Sequence, residues 1–369
     1  MAELLRVADL VKQFDLPGTK KRLTAVNGVS FTLGEGETLG VVGESGSGKT
    51  TLGRCVLRLL DATAGAVEFM SMDLATLSRS DLRHLRANMQ IVYQNPGEAF
   101  DPTMTIRGII EDPLKFHTNM SPRERRAEVH QLTERVGLDD DLLDKRPREL
   151  TAGARQRVAI ARAIATKPKL IVLDEPTSAL DLSVRRRIID LLIELQRDLG
   201  VSYMFISHDL STIRKISTRV AIMYLGEIME LGPTQELYDT PRHPYSRALL
   251  LSVSRPDPTS QARRFPLAGE IPSPIDLPPG CPLSSRCPLV EEICEEQRPR
   301  AVDVDGHNGD WWAMCHPMGA AAPLEWLGRL DATETRREAR RRDSAAIGPA
   351  HFGRLIGRET QRGAQEHHD

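Results

Sequence analysis

The sequence predicts an α/β fold, one large domain of parallel strands alternating with helices and followed by an appendage. Three observations point there. Apolar runs of strand length, among them Thr38–Val42 and Leu170–Leu173, end on glycine-rich or acidic segments, as buried parallel strands do. Between residues 166 and 230 apolar runs alternate with helical patterns, the order of βαβ units. With 369 residues the chain is long enough for one such domain plus an extension.

Along the chain, LLRVADLV, VSFTL and AVEFM within residues 3–69 read as short β segments. Residues 43–50 are GESGSGKT, which fits the phosphate-loop pattern G-x-x-x-x-G-K-[ST] without a mismatch. The loop follows the strand Thr38–Val42 and opens a helix predicted over Lys49–Leu60, the setting that gives the pattern its meaning. Gly43, Gly46 and Gly48 let backbone N–H groups turn inward around phosphates, with Glu44, Ser45, Ser47 and Thr51 as the other residues of the loop and its exit. Lys49 supplies a point charge to the β- and γ-phosphates, and the Thr50 hydroxyl can ligate Mg²⁺. Residues 96–165 are largely helical in pattern. Next comes LTAGARQR, which opens a helix whose N-terminal amides form an anion seat. The strand Leu170–Leu173 ends on Asp174 and Glu175. An acid there can hold Mg²⁺ in the crevice of an open sheet, and its neighbour can polarise an attacking water. Ser178–Asp181 follows a proline turn. An ordinary glycine-rich turn before a helix would leave this second, acidic strand end unexplained.

In this order the motifs resemble the ATP-binding subunit of an ABC transporter, and the oligopeptide/dipeptide importer branch most closely, over roughly residues 4–317. The resemblance implies a P-loop ABC-type nucleotide-binding domain over 1–237, a mixed sheet core with a helical subdomain at about 96–165. It implies ATP and Mg²⁺ as cofactors. Gln94, in IVYQNP, would be the Q-loop residue that joins Thr50 and Asp174 around Mg²⁺ and touches the attacking water. His208, in FISHDL, would be the switch histidine at the γ-phosphate, and Phe14 the aromatic that stacks on adenine. Thr151 and Gly153 belong to the signature, and Asp181 closes the motif after the proline turn. The plainer readings are a solvated loop glutamine, a structural histidine and a core aromatic. Glu175 would orient the water as general base. The signature departs from the family pattern: relatives usually read Leu-Ser-Gly-Gly-Gln, and here Leu150-Thr151-Ala152-Gly153-Ala154 stand in its place. Thr151 keeps a hydroxyl, Ala152 adds a Cβ where close approach normally calls for glycine, and Ala154 removes an amide. In ABC dimers the signature of one subunit completes the site of the other. This suggests a heterodimer with one strong and one weakened site, against a dimer in which both turn over.

Lys and Arg number 49 against 51 Asp and Glu, which argues against a nucleic-acid binder held by phosphate electrostatics. No apolar run approaches the roughly 20 residues needed to span a bilayer, and no charged-then-apolar signal opens the chain. The expectation is a peripheral protein on the cytoplasmic face of the cell inner membrane. It would dock on two transmembrane permease subunits beside a second ABC ATPase subunit, with an extracytoplasmic substrate-binding protein reached through the assembly. Two other classes stay open: a soluble ABC ATPase acting on nucleic acid or ribosomes, and a weakly hydrolysing regulatory subunit.

After Leu237 the composition shifts, and LAGEIPSPIDLPPGCPLSSRCP resembles the C-terminal extension of oligopeptide and dipeptide importer ATPases, here 238–320. Cys281, Cys287, Cys294 and Cys315 lie in it with five, six and twenty residues between them. Four clustered cysteines in a cytosolic protein suggest a metal site before disulfides, although the spacing matches neither common zinc pairs nor standard ferredoxin runs. The resemblance implies a [4Fe–4S] cluster there; zinc and free thiols are the alternatives, with His307 and His316 as substitute ligands. Cys55 reads as a small buried hydrophobe. The tail 321–369 mixes arginines with acids and reads as a solvated or flexible end.

Overall fold

A computed structural model describes residues 2–252, 267–304 and 309–316. The N-terminal stretch contains β1 (Glu3–Asp15), β2 (Arg22–Gly34), β3 (Thr38–Val42), α1 (Lys49–Val56), β4 (Ala64–Phe69) and β5 (Met72–Asp73). Next come α2 (Arg79–Leu85), β6 (Met89–Val92) and the helices α3 (Pro96–Ala99), α4 (Ile106–His117), α5 (Pro122–Arg135) and α6 (Ala152–Ile164). The alternating part is β7 (Leu170–Asp174), α7 (Leu182–Leu199), β8 (Ser202–Ile206), α8 (Leu210–Ile216), β9 (Arg219–Tyr224) and β10 (Glu227–Pro233). The chain continues with α9 (Thr234–Asp239), α10 (Pro244–Leu251), α11 (Glu292–Glu296), β11 (Ala301–Asp303) and β12 (Trp312–Met314).

Two sheets result. One is antiparallel in the order β2-β1-β4-β5; the other runs β11-β12-β10-β9-β3-β8-β7-β6 and is parallel from β9 to β6. The apolar runs are continuous because their strands are buried on both faces. In β7, Leu170 and Val172 pack toward α1 and the antiparallel sheet, whereas Ile171 and Leu173 belong to the core shared with α4–α8. Helix α1 lies between the sheets, contributing Leu52, Cys55 and Val56 to the first of these cores. Register aligns Val41 with Ile206 and Ala221, and Leu173 with Phe205. The chain therefore leaves β3, β7 and β8 along one edge of the sheet, where open α/β folds bind ligands.

Two features depart from the sequence expectation. Helix α1 ends at Val56, short of Leu60. Arg58 turns to φ +48° just beyond it, and its guanidinium donates to the carbonyls of Leu74 and Leu77, which ties the chain down before β4. The second is that the C-terminal extension joins the main sheet: β12 pairs with β10 at Glu230–Ala313 and Leu231–Trp312, and β11 pairs with β12. Gly232 makes room for this. A Cβ there would lie 2.5 Å from the ring of Trp311, which is buried against it. Below, the fully buried Glu230 accepts from the backbone N–H groups of Arg242 and His243 at 2.9 Å and from Trp311 Nε1 at 3.0 Å. Burial pushes its carboxyl above the ordinary range.

Candidate nucleotide site

The phosphate loop leaves β3 at Gly43 and re-enters regular structure at α1, with Gly48 at its N-cap. Gly48 has φ +98°, and a Cβ on it would sit 2.0 Å from the Ala25 carbonyl, so only glycine fits. Lys49 is buried. Its Nζ donates to the carbonyls of Gly43 and Glu44, both at 2.9 Å, and to Ser47 Oγ at 3.2 Å. Ser45 and Gly46 are exposed at the loop's tip, and Thr51 is half-buried one residue into α1.

Asp174 ends β7 beside this loop, and Thr50 Oγ1 donates to its Oδ1 at 2.9 Å. Glu175 follows with φ +49°, its N–H donating to the Ile206 carbonyl at 3.0 Å. A non-glycine residue in this region is costly and held by its surroundings. The turn sets the Glu175 carboxylate against His208, whose Nδ1 lies 2.8 Å from Oε1 and 2.6 Å from Oε2. The His208 side chain is 63% exposed and that of Glu175 13%, so the acid is sheltered and the imidazole is open to solvent.

Electrostatics fit a site made for opposite charge. Burial, the leading cause, lowers the Lys49 pKa, and burial likewise raises that of Asp174. Phosphate oxygens would offset the first penalty and a divalent cation the second, so the residues present fit ATP with Mg²⁺.

The other candidates lie at the margin. Gln94 is exposed and, with Arg155, Gln156 and Leu180, lines a cavity of about 600 Å³ beside α6. Thr151 is the N-cap of α6 and accepts from the Ala154 N–H at 3.3 Å, which leaves its own hydroxyl proton to donate elsewhere. Gly153 packs closely on α7, since a Cβ would come 2.9 Å from Val184 Cγ1. Asp181 caps α7, accepting from Ser183 and Val184 at 3.0 Å. Phe14 is 37% exposed near the end of β1, with the Lys12 ammonium 5.0 Å from its ring centroid.

Known proteins resemble this chain over both the nucleotide-binding region and the extension. Residues 26–178 match the family model described as ABC transporter, and residues 229–294 match that of the oligopeptide/dipeptide transporter C-terminal region. The oligopeptide transport ATP-binding protein AppF of Bacillus subtilis is 45% identical over 304 residues, covering 80% of this chain and 92% of that protein. OppF of Salmonella typhimurium, also named an oligopeptide transport ATP-binding protein, is 43% identical over 306 residues, with 80% and 92% covered. The chain belongs to the ABC transporter ATPases. A solved dimer of the ATP-binding cassette MJ0796, in a post-hydrolysis state with ADP and Pi, superposes on this ABC ATPase with a TM-score of 0.58 at 28% identity, covering 63% of this chain and 99% of that one. As a member of the family it hydrolyses ATP, with Mg²⁺ as cofactor. Among the described residues no helix is long and apolar enough to cross a membrane.

The four cysteines of the extension do not assemble as the metal-site reading requires. Among the described residues no three His, Cys, Asp or Glu side chains come together as a metal-holding group. All four are buried, and Cys281, Cys287 and Cys294 sit in the hydrophobic core as small apolar residues. Burial pushes the Cys281 thiol up to about 11. Cys281 and Cys294 are joined through the backbone, N–H to carbonyl, at 2.7 Å. His316 Nε2 is instead 2.9 Å from the Gln297 carbonyl, and His307 lies outside the described residues, as does the tail.

Two residues touching the phosphate loop were not legible in the ABC ATPase sequence. Tyr245 Oη accepts from the Glu44 N–H at 3.0 Å, and Arg286 Nη1 donates to the Glu44 carboxylate at 3.0 Å. Both come from beyond residue 237, and no local pattern ties them to a loop some two hundred residues earlier.

Proposed function

We propose that this ABC ATPase energises uptake of oligopeptides or dipeptides, as the cytoplasmic subunit of an importer in the cell inner membrane. The observation that carries the reading is the coexistence of a complete hydrolytic edge, Lys49–Thr50–Asp174–Glu175–His208, with the oligopeptide/dipeptide C-terminal region on one chain. The names of the relatives support the substrate class. Residues 1–237 act as the ATPase domain, with a helical subdomain at about 96–165 that meets the permeases next to Gln94; 238–320 is the extension.

Mg²⁺, when bound, would supply positive charge to offset that developing on the phosphates. Thr50, Asp174 and Gln94 would hold it, and Lys49 with the loop amides of 43–51 would hold the phosphates. Glu175 accepts the proton of the attacking water, and His208 keeps the carboxylate aimed while its exposed face reaches the γ-phosphate. Phe14 stacks on adenine. Thr151, Gly153 and Asp181 act across the dimer, on the nucleotide held by a second, different ATPase. Two permeases and an extracytoplasmic binding protein complete the assembly. The altered signature weakens the partner's site and leaves the one built on Lys49 and Glu175 strong.

Uptake of a labelled peptide tests this directly. Cells whose sole copy of this chain carries Glu175→Gln should lose uptake while still assembling the subunit; undiminished uptake would sink the reading. The [4Fe–4S] proposal for Cys281, Cys287, Cys294 and Cys315 rests on the presence of the four cysteines, and no step above uses it. Iron and sulfide analysis of anaerobically purified protein decides it, and absence of iron removes it.

A further inference from the structure

Glu44, the second residue of the phosphate loop, is gripped from three sides. Its carbonyl accepts from Lys49 Nζ at 2.9 Å, its N–H donates to Tyr245 Oη at 3.0 Å, and its carboxylate receives both terminal nitrogens of Arg286, at 3.0 and 3.4 Å. Two of those three partners come from the C-terminal extension. Arg286 is 8% exposed, yet it is an arginine on a loop-rich segment where a surface position would be unremarkable. Its Nη1 also donates to Tyr224 Oη at 3.3 Å, and the guanidinium lies 5.7 Å from the Tyr224 ring centroid. Tyr224 in turn packs on Tyr245, ring centroids 4.7 Å apart. The two tyrosines and the arginine thus form one buried unit on the outside of the loop. Burial works against the guanidinium's charge, and Glu44 and Tyr224 together more than offset it.

A carboxylate on a loop that must receive a triphosphate is unfavourable unless something cancels it. Like charges held close in a partly desolvated site repel strongly, and the repulsion would fall on the bound nucleotide. Nothing in the phosphate-loop pattern requires an acid at this position. Its partner therefore matters to nucleotide binding through Glu44.

We propose that Arg286 is a positioning residue for the phosphate loop: it neutralises Glu44 and, with Tyr245, fixes the loop segment whose carbonyl holds Lys49, so that the nucleotide site is complete only with the extension docked. The extension is then part of the ATP site and acts on it from outside.

The test is a cycle of four full-length chains, wild type, Arg286→Ala, Glu44→Gln and the double variant, titrated with a fluorescent ATP analogue and Mg²⁺. Arg286→Ala leaves Glu44 unpaired and should weaken nucleotide binding roughly three- to tenfold, a pair whose carboxylate is partly exposed being worth less than a fully buried one. The double variant should return to within about twofold of Glu44→Gln alone, because the repelling charge has gone with its partner. A merely structural role for Arg286 would not be rescued this way. Unchanged affinity in Arg286→Ala overturns the proposal, and so does an affinity loss that Glu44→Gln fails to relieve. Should Arg286→Ala not fold, Arg286→Met keeps the stem packing without the charge and carries the same two expectations. Wild-type binding, measured in the same series, separates a failure of this proposal from a failure of the nucleotide site itself.

Discussion

Glu175 leaves β7 in a left-handed conformation, and that backbone turn is what brings its carboxylate to His208. A neighbouring residue in extended geometry would point to the other face of the sheet. Glu175→Gln keeps the shape and removes the proposed base, so ATP binding should persist while turnover falls about 10²- to 10⁴-fold. Nucleotide titration alongside phosphate release checks both halves, and turnover near the wild-type rate would remove Glu175 from the chemistry. A second residue carries a pH dependence. His243 is fully buried at the N-cap of α10, where its Nδ1 accepts from the Tyr245 N–H at 3.1 Å, and burial depresses its pKa to about 3. In the unfolded chain it titrates near 6.5. Below that pH the unfolded state takes up a proton that the folded state refuses, so stability falls as pH drops from about 6.5 toward 3. Neighbouring Glu230, its pKa raised by burial, slopes the other way, losing stability as pH rises above the ordinary carboxylate range. His243→Asn keeps a capping oxygen and deletes the titration. Thermal melts of the two proteins across pH 4–7 should diverge in acid, with the variant flatter; parallel curves would contradict this.

The strands and the loops that follow them were readable because both obey local chemistry. Thr38–Val42 and Leu170–Leu173 carry no charged side chain since each faces a core on both sides, and the phosphate-loop glycines are dictated by backbone geometry within a few residues. What could not be read were pairings set by distant partners. No alternation marks Ala301–Asp303 or Trp312–Met314 as strands; they are strands because β10 offers an edge and Gly232 a slot for Trp311. The contacts of Tyr245 and Arg286 with Glu44 were hidden for the same reason. The environment of the extension's cysteines was hidden likewise, since burial in a hydrophobic core leaves no trace in spacing. Gly232→Ala tests the docking element. The added methyl collides with Trp311, and overpacking of this kind costs about 1–3 kcal/mol. The melting temperature should fall and tryptophan emission shift red; unchanged emission would mean that Trp311 does not anchor the extension. The α6 N-terminus permits a parallel test. Writing Ser-Gly-Gly-Gln at 151–154 should raise the ATPase rate of the assembled transporter if the present signature weakens the partner's site, and no change would end the asymmetry proposal.

Taken whole, the chain joins a hydrolytic edge, a region matched to oligopeptide/dipeptide transporters and no described helix able to cross a membrane. Its relatives are named oligopeptide transport ATP-binding proteins, and the proposed importer requires permease chains beside this one. The most direct measurement is affinity capture of the tagged full-length protein from detergent-solubilised membranes, with mass identification of every stoichiometric partner. Two multi-span permeases and a second, different ATPase are the predicted set. Permeases with this chain alone would keep the importer and contradict the heterodimer. Recovery only from the soluble fraction, without permeases, would contradict the importer itself.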